Sequence, residues 1–185
     1  MSVTIIVGGA LLLALVAFFV IYNGLGTLKN NVAKNWSNID VLLKQRFDEL
    51  PKLVAVCQRY MEHEKETLEG VTRARAAAAN AGSAEDSPQA QNMISDALKS
   101  LFAVVENYPD LKADRTFEQL QGRISGLENE IADRREYYND SVNIYKIGIE
   151  KLPDVFIARL INYRTKRLWQ IDPAHRKDVS IKFGT

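Results

Sequence analysis

The sequence predicts an all-α protein: an N-terminal transmembrane helix followed by an elongated antiparallel bundle of long helices. Three observations carry this expectation. Val3 to Tyr22 contains no charged residue. Beyond it, apolar residues recur at helical spacing, and strand-like alternation is absent. The chain after residue 28 is also poor in Gly and Pro, the residues that punctuate short elements.

Composition bounds the function classes. A chain of 185 residues allows one domain of ordinary size. Lys+Arg number 24 and Asp+Glu 23, for a net charge of +1. That balance lacks the basic excess on which nucleic-acid binding draws, so no nucleic-acid partner is expected. Cys57 is the sole cysteine, which excludes an intramolecular disulfide and a cysteine-based zinc cluster. The mean hydropathy of −0.18 averages an almost uncharged start with a charged remainder.

Residues 1–28 read as the anchor and its exit. About 20 apolar residues at ~1.5 Å rise cross a ~30 Å hydrocarbon core. Val3, Ile6, Leu12, Phe18 and Phe19 would meet lipid, and Tyr22 would sit at the interface. A cleaved signal peptide needs a basic start and a small-residue cleavage site. Met-Ser-Val-Thr and Phe18-Phe19-Val20-Ile21 supply neither. Gly8, Gly9, Ala10 and Ala14 form a small-residue face that reads as the ordinary composition of spanning helices in preference to a packing surface between anchors. Lys29 and Lys34 follow the span with no acid before Asp40, so the positive-inside rule puts the C-terminal part in the cytoplasm and the N-terminus outside.

The next stripe runs through Trp36, Leu43, Leu50, Cys57, Glu64, Val71 and Ala78, with Val32, Ile39, Arg46, Leu53, Tyr60, Thr67 and Ala74 as its companion series. Phe47, Val54, Met61 and Leu68 widen it, and the pattern predicts one amphipathic helix from Val32 to Ala78. Gly24 and Gly26 are candidate hinges between it and the anchor. Pro51 predicts a kink rather than a break. Asn80 to Pro88 reads as a loop, with Ser87 as N-cap of the following helix. That helix carries Ile94, Leu98, Leu101, Val105 and Tyr108. Pro109 to Ala113 reads as a connector, and Asp114 as the next N-cap. Phe117, Leu120, Ile124, Leu127, Ile131, Tyr138, Tyr145 and Leu152 then form the most regular stripe. Pro153 closes it and opens a shorter helix through Val155, Phe156, Leu160 and Tyr163. With these helix lengths, Leu152 and everything after it is expected at the distal tip, far from the membrane.

Several runs, in order, resemble the LemA family. They include Tyr22-Asn23-Gly24-Leu25, Asn30 to Lys44, Leu50 to Val54 and His63 to Leu68. Thr72 to Ala76, Glu106 to Lys112 and Arg134 to Asn139 continue the series. The resemblance covers roughly Tyr22 to Leu152. It implies a single-pass protein of the bacterial inner membrane with a helical cytoplasmic domain, here residues 29–152, and implies no enzyme activity. LemA-like proteins include magnetosome-membrane members associated with shaping membrane. Residues 153–185 depart from the pattern as a basic extension, with Arg159, Arg164, Lys166, Arg167, Arg176, Lys177 and Lys182 against Asp172 and Asp178 beyond Val155.

Chemistry-bearing constellations are few. His63-Glu64 lacks the second histidine that a zinc motif places four residues on, because position 67 is Thr67. A bundle-core di-metal motif fails at Tyr60, and His175 stands apart in the tail. Neither a metal nor a cofactor is expected, and no Ser-His-Asp order or phosphate loop points to an enzyme. Glu62, Glu64, Glu66 and Glu69 read as a solvated face, with Glu64 a candidate partner for a base across the bundle. Cys57 reads as a small core residue, and Gly122-x-x-x-Gly126 as a place of close helix approach. Tyr137, Tyr138, Asn139, Asn143 and Tyr145 form a polar-aromatic patch that reads as hydrogen-bonded packing against the first helix in preference to a partner site.

Partner binding competes best in the segment Val155 to Trp169. Phe156, Arg159, Tyr163, Arg164, Arg167 and Trp169 form the candidate interface, since Trp, Tyr and Arg concentrate binding energy. Membrane-surface binding by a basic amphipathic helix is the alternative, disfavoured by the expected distal position. Membrane lipid around one spanning helix and a homo-oligomer are the expected partners. Residues Val155 to Phe183 are expected to meet the acidic stretch Glu62 to Glu69 of a neighbouring copy. The first function reading is a structural scaffold that self-assembles into a high-order oligomer on the membrane, organising or shaping it; the second is an adaptor presenting a helical surface to a membrane enzyme such as a protease.

Overall fold

A computed structural model describes residues 2–81 and 88–169. Ser87, His175 and the basic residues beyond Trp169 lie outside the described residues. The fold is all-α, with no strand among the described residues. Among the described residues six helices follow in order: α1 (Ser2–Gln58), α2 (Lys65–Asn80), α3 (Pro88–Val105), α4 (Pro109–Lys112), α5 (Arg115–Glu150) and α6 (Asp154–Leu160). The chain divides into two compact units, and both α1 and α5 contribute to each. Among the described residues, one takes those up to Asn38 with Arg134–Leu168; the other takes those from Ile39 to Asp133 with Trp169.

The second unit holds the main core. Leu50, Leu53, Val56 and Cys57 of α1 cluster with Leu68, Val71 and Ala74 of α2, with Ile94, Leu98, Leu101 and Val105 of α3, and with Phe117 and Ile124 of α5. The expected single helix from Val32 to Ala78 is not formed. α1 passes through Pro51 without a break but ends at Gln58. Met61 donates its N–H to the Cys57 carbonyl at 2.9 Å, and Glu64 to that of Met61 at 3.1 Å, so the chain reverses around the buried Met61. α2 then runs back along α1. Arg75 Nε donates to the Phe47 carbonyl at 3.3 Å, and its guanidinium stands 4.0 Å from the Phe47 ring centre.

The reason for the reversal is burial. A continuous helix would leave Leu68, Val71 and Ala74 without a core; folding back joins them to Leu50 and Leu53. Each large aliphatic side chain so buried contributes about 1.5–3 kcal/mol, well above the cost of ending a helix at residues of middling propensity.

α3 buries the expected stripe, and α4 turns the expected connector into one helical turn around buried Leu111. Asp114 caps α5 as its sequence position predicts. Its Oδ1 accepts from the backbone N–H groups of Thr116 at 2.7 Å and Phe117 at 3.1 Å. Those N–H groups, first that of Phe117, hold the carboxyl below its usual range, helped by the hydroxyl of Tyr60 at 2.9 Å.

In the first unit α5 again lies antiparallel to α1. Asn35 Nδ2 reaches the Tyr137 carbonyl at 3.4 Å, the Trp36 and Tyr138 rings meet edge to face at 5.4 Å, and Gly148 lies against Leu28 and Leu25. A Cβ on Gly148 would collide with Leu28 Cδ1, so this glycine, and not Gly122 or Gly126, marks the close helix approach. Both Gly122 and Gly126 face open space, which overturns the expectation for that pair. Gly24 and Gly26 do not act as hinges, because α1 is unbroken across them.

α6 ends in a Schellman-type cap. Asn162 takes the left-handed conformation with φ 55°, Tyr163 N–H donates to the Ala158 carbonyl at 2.9 Å, and Asn162 N–H to that of Arg159 at 3.1 Å. Asn tolerates this conformation better than other residues with a side chain. The chain then runs back along the α1–α5 pair. Tyr163 packs beside Tyr145 with ring centres 6.3 Å apart and beneath Lys29 Nζ at 4.9 Å, and the Tyr138 hydroxyl donates to the Arg167 carbonyl at 3.1 Å. The segment after Leu152 therefore lies beside residues 25–29, where the apolar stretch ends. The expectation that it sits far from the membrane is overturned. The extra reversal at residues 59–64 is the cause, since it inverts the direction of every later helix.

Candidate membrane and interaction surfaces

The membrane surface begins with α1. Its N-terminal stretch is long and apolar enough to cross a bilayer, and none of that window is buried in the protein. Val3, Ile6, Leu12, Phe19 and Tyr22 are exposed, while Phe18 is half-buried between Phe19, at 5.8 Å, and Tyr22, stacked at 6.2 Å.

The candidate interface of the sequence reading divides. Phe156, Arg159, Arg164 and Arg167 are exposed. Tyr163 is half-buried and Trp169 is buried, so both serve packing within the chain. The polar-aromatic patch on α5 divides in the same way. Tyr138 and Tyr145 are buried as expected, and burial raises the Tyr145 hydroxyl above the ordinary tyrosine range. Tyr137 instead points outward.

Tyr137 belongs to a feature that stripe counting missed. A groove of about 490 Å³ runs between α1 and α5 in the first unit, with Asn31, Asn35 and Asn38 on one wall and Tyr137, Asp140 and Ile144 on the other. Tyr137, Ile144 and Ile147 remain 59, 56 and 64 % exposed along this stretch of α5. Their spacing of seven and three residues puts them on one helix face. The signal was present, since these residues form a second apolar series beside the buried Tyr138 and Tyr145.

Arg46 is the other residue whose role the stripe concealed. It lies among apolar positions yet is fully buried. Its Nη1 pairs with Glu128 Oε1 and bonds Ser95 Oγ at 3.0 Å, and its Nη2 bonds Gln91 Oε1 at 2.8 Å. Ser95 closes the knot by donating to Glu128 Oε2 at 2.7 Å. One guanidinium thus ties α1, α3 and α5 together.

Near the reversal, Glu64 accepts from the Tyr108 hydroxyl at 3.0 Å, so its cross-bundle partner is a tyrosine and not a base. His63 borders a recess of about 950 Å³ with Met61, Leu68 and Thr72. Cys57 is wholly buried in the core, and desolvation pushes its thiol up to about 11, which leaves it protonated and inert at neutral pH.

The LemA family model matches residues 35–183 of this chain. The match runs through the basic segment after Pro153. Among curated proteins, two magnetosome proteins of Paramagnetospirillum magneticum, MamQ 1 and MamQ 2, are each 34% identical over 79 residues. The magnetosome protein MamQ of Magnetospirillum gryphiswaldense is 29% identical over 79 residues. Each alignment covers 43% of this chain and 29% of the relative.

Proposed function

The chain belongs to the LemA family, and from that premise we propose that it is a membrane-anchored structural protein that self-assembles on the inner membrane and organises it without catalysis. The apolar N-terminal stretch and the magnetosome relatives support membrane association. The observation that carries the assembly reading is the open α1–α5 face, with Tyr137, Ile144 and Ile147 beside the asparagine-lined groove. A helix pair that leaves such a stripe in water has apolar area still to bury. A second copy fits it. Lys34 and Arg134 stand in the same groove as Asp140, so the face offers a neighbouring copy both base and acid. A shared anchor plane raises the effective concentration of copies and aligns them.

In this reading the helical units face the cytoplasm and the N-terminus faces outward. A reporter that works only in the cytoplasm, fused after Thr185, will be active; activity only of a reporter restricted to the outside would reverse the orientation. For assembly, the full-length protein extracted in mild detergent will run as large regular particles by light scattering and electron microscopy. A monomer at micromolar concentration would reject self-assembly. A small uniform species that grows only with a membrane enzyme present would instead support the adaptor reading.

A further inference from the structure

We propose that α6 and its flanks form a second membrane contact, a short foot that lies in the lipid interface beside the spanning helix. Leu152, Phe156 and Leu160 are 74, 66 and 76 % exposed, at intervals of four residues. Ala158, on the other side of α6, is buried against the protein. The short helix thus has one face for the chain and one apolar face that no described residue covers.

Its position and charge commit that face to lipid. Gly148 packs on Leu28 and Leu25, and Tyr163 lies under Lys29, so the segment between them sits where the apolar stretch of α1 ends. That stretch is long and apolar enough to cross a bilayer, and the foot continues its exposed apolar surface. From Val155 to Trp169 there is no acid, and Arg159 and Arg164, on either side of the cap that ends α6, are exposed. Apolar side chains flanked by cations are what an anionic headgroup layer accepts: the apolar groups enter the acyl boundary and the bases stay with the phosphates. The Schellman-type cap at Asn162 ends α6 after Leu160, and Tyr163 then pins the chain to Tyr145, which holds the apolar face in one orientation.

The proposal rests on the N-terminal stretch spanning the bilayer, and the experiment separates the two. The full-length protein is reconstituted in vesicles of mixed zwitterionic and anionic phospholipid. Nitroxide labels are placed one at a time at Leu152→Cys, Phe156→Cys and Leu160→Cys, with Leu12→Cys to report the span and Asp48→Cys to report water. All five positions are exposed, so labelling leaves the packing intact, and buried Cys57 gives a background that the unsubstituted protein measures. The foot labels are expected to collide often with oxygen and rarely with a water-soluble nickel chelate, as at Leu12, with the reverse at Asp48. Nickel accessibility at the foot equal to that at Asp48, with Leu12 still lipid-exposed, would overturn the foot alone. Low accessibility to both reagents would mean that protein covers the face, which would also overturn it. Nickel accessibility at Leu12 would remove the spanning helix and the foot with it.

Discussion

Arg46→Ala is expected to destabilise the chain by about 3 kcal/mol or more, because it strands the carboxylate of Glu128 and the amide of Gln91 in the bundle. The Arg46 side chain is wholly buried and that of Glu128 is 25 % exposed, so the penalty sits toward the lower end of the range for broken buried pairs. The companion experiment is the apolar pair, Arg46→Met with Glu128→Leu. Removing both charges removes the desolvation cost with the attraction, so the double variant should recover much of the loss. Thermal melts of the full-length protein in detergent, followed by the helix signal, compare the parent, Arg46→Ala and the double variant. A midpoint for Arg46→Ala equal to that of the parent would show that the knot does not hold α1, α3 and α5 together.

Arg46 also shows which parts of the fold were legible. A base inside an otherwise apolar series is visible in the sequence, but its partners come from residues 45 to 82 positions away, which no local pattern reveals. The stripes on α3 and α5 and the Asp114 cap could be read because one face or one side chain determines each of them. The reversal at residues 59–64 could not. It contains no Gly or Pro, and its cause is the burial of Leu68, Val71 and Ala74 against residues of another helix. The local trace is that the two heptad series fail at Glu64 and Thr67, where core residues were due. That one missed turn misplaced the C-terminal segment, because helix direction alternates and a single extra reversal changes the sign of all that follows. Phe156 and its neighbours were recognised as apolar and basic, but the surface they meet depends on which end of the chain they reach.

Replacing Ile144 and Ile147 together by aspartate is expected to dissolve the assembled particles while leaving each chain folded and membrane-bound. Both side chains are mostly exposed in the single chain, so substitution costs the fold little. In an assembled interface the same change removes two apolar anchors and forces two carboxylates out of water. Each buried isoleucine contributes about 1.5–3 kcal/mol, so losing two weakens each contact by about 3 kcal/mol before the charge penalty is counted. That alone is more than a hundredfold in the association constant. The new carboxylates also meet the acid Asp140 of the same groove, and salt would relieve only the exposed part of that repulsion. The control is Asp48→Asn, an exposed change in the other unit, which should leave particle size unchanged. Light scattering of the detergent-extracted proteins reads the outcome. Particles of undiminished size in the double variant, with its helix signal retained, would show that the α1–α5 face is not the contact, and the proposal that copies assemble through it would fall.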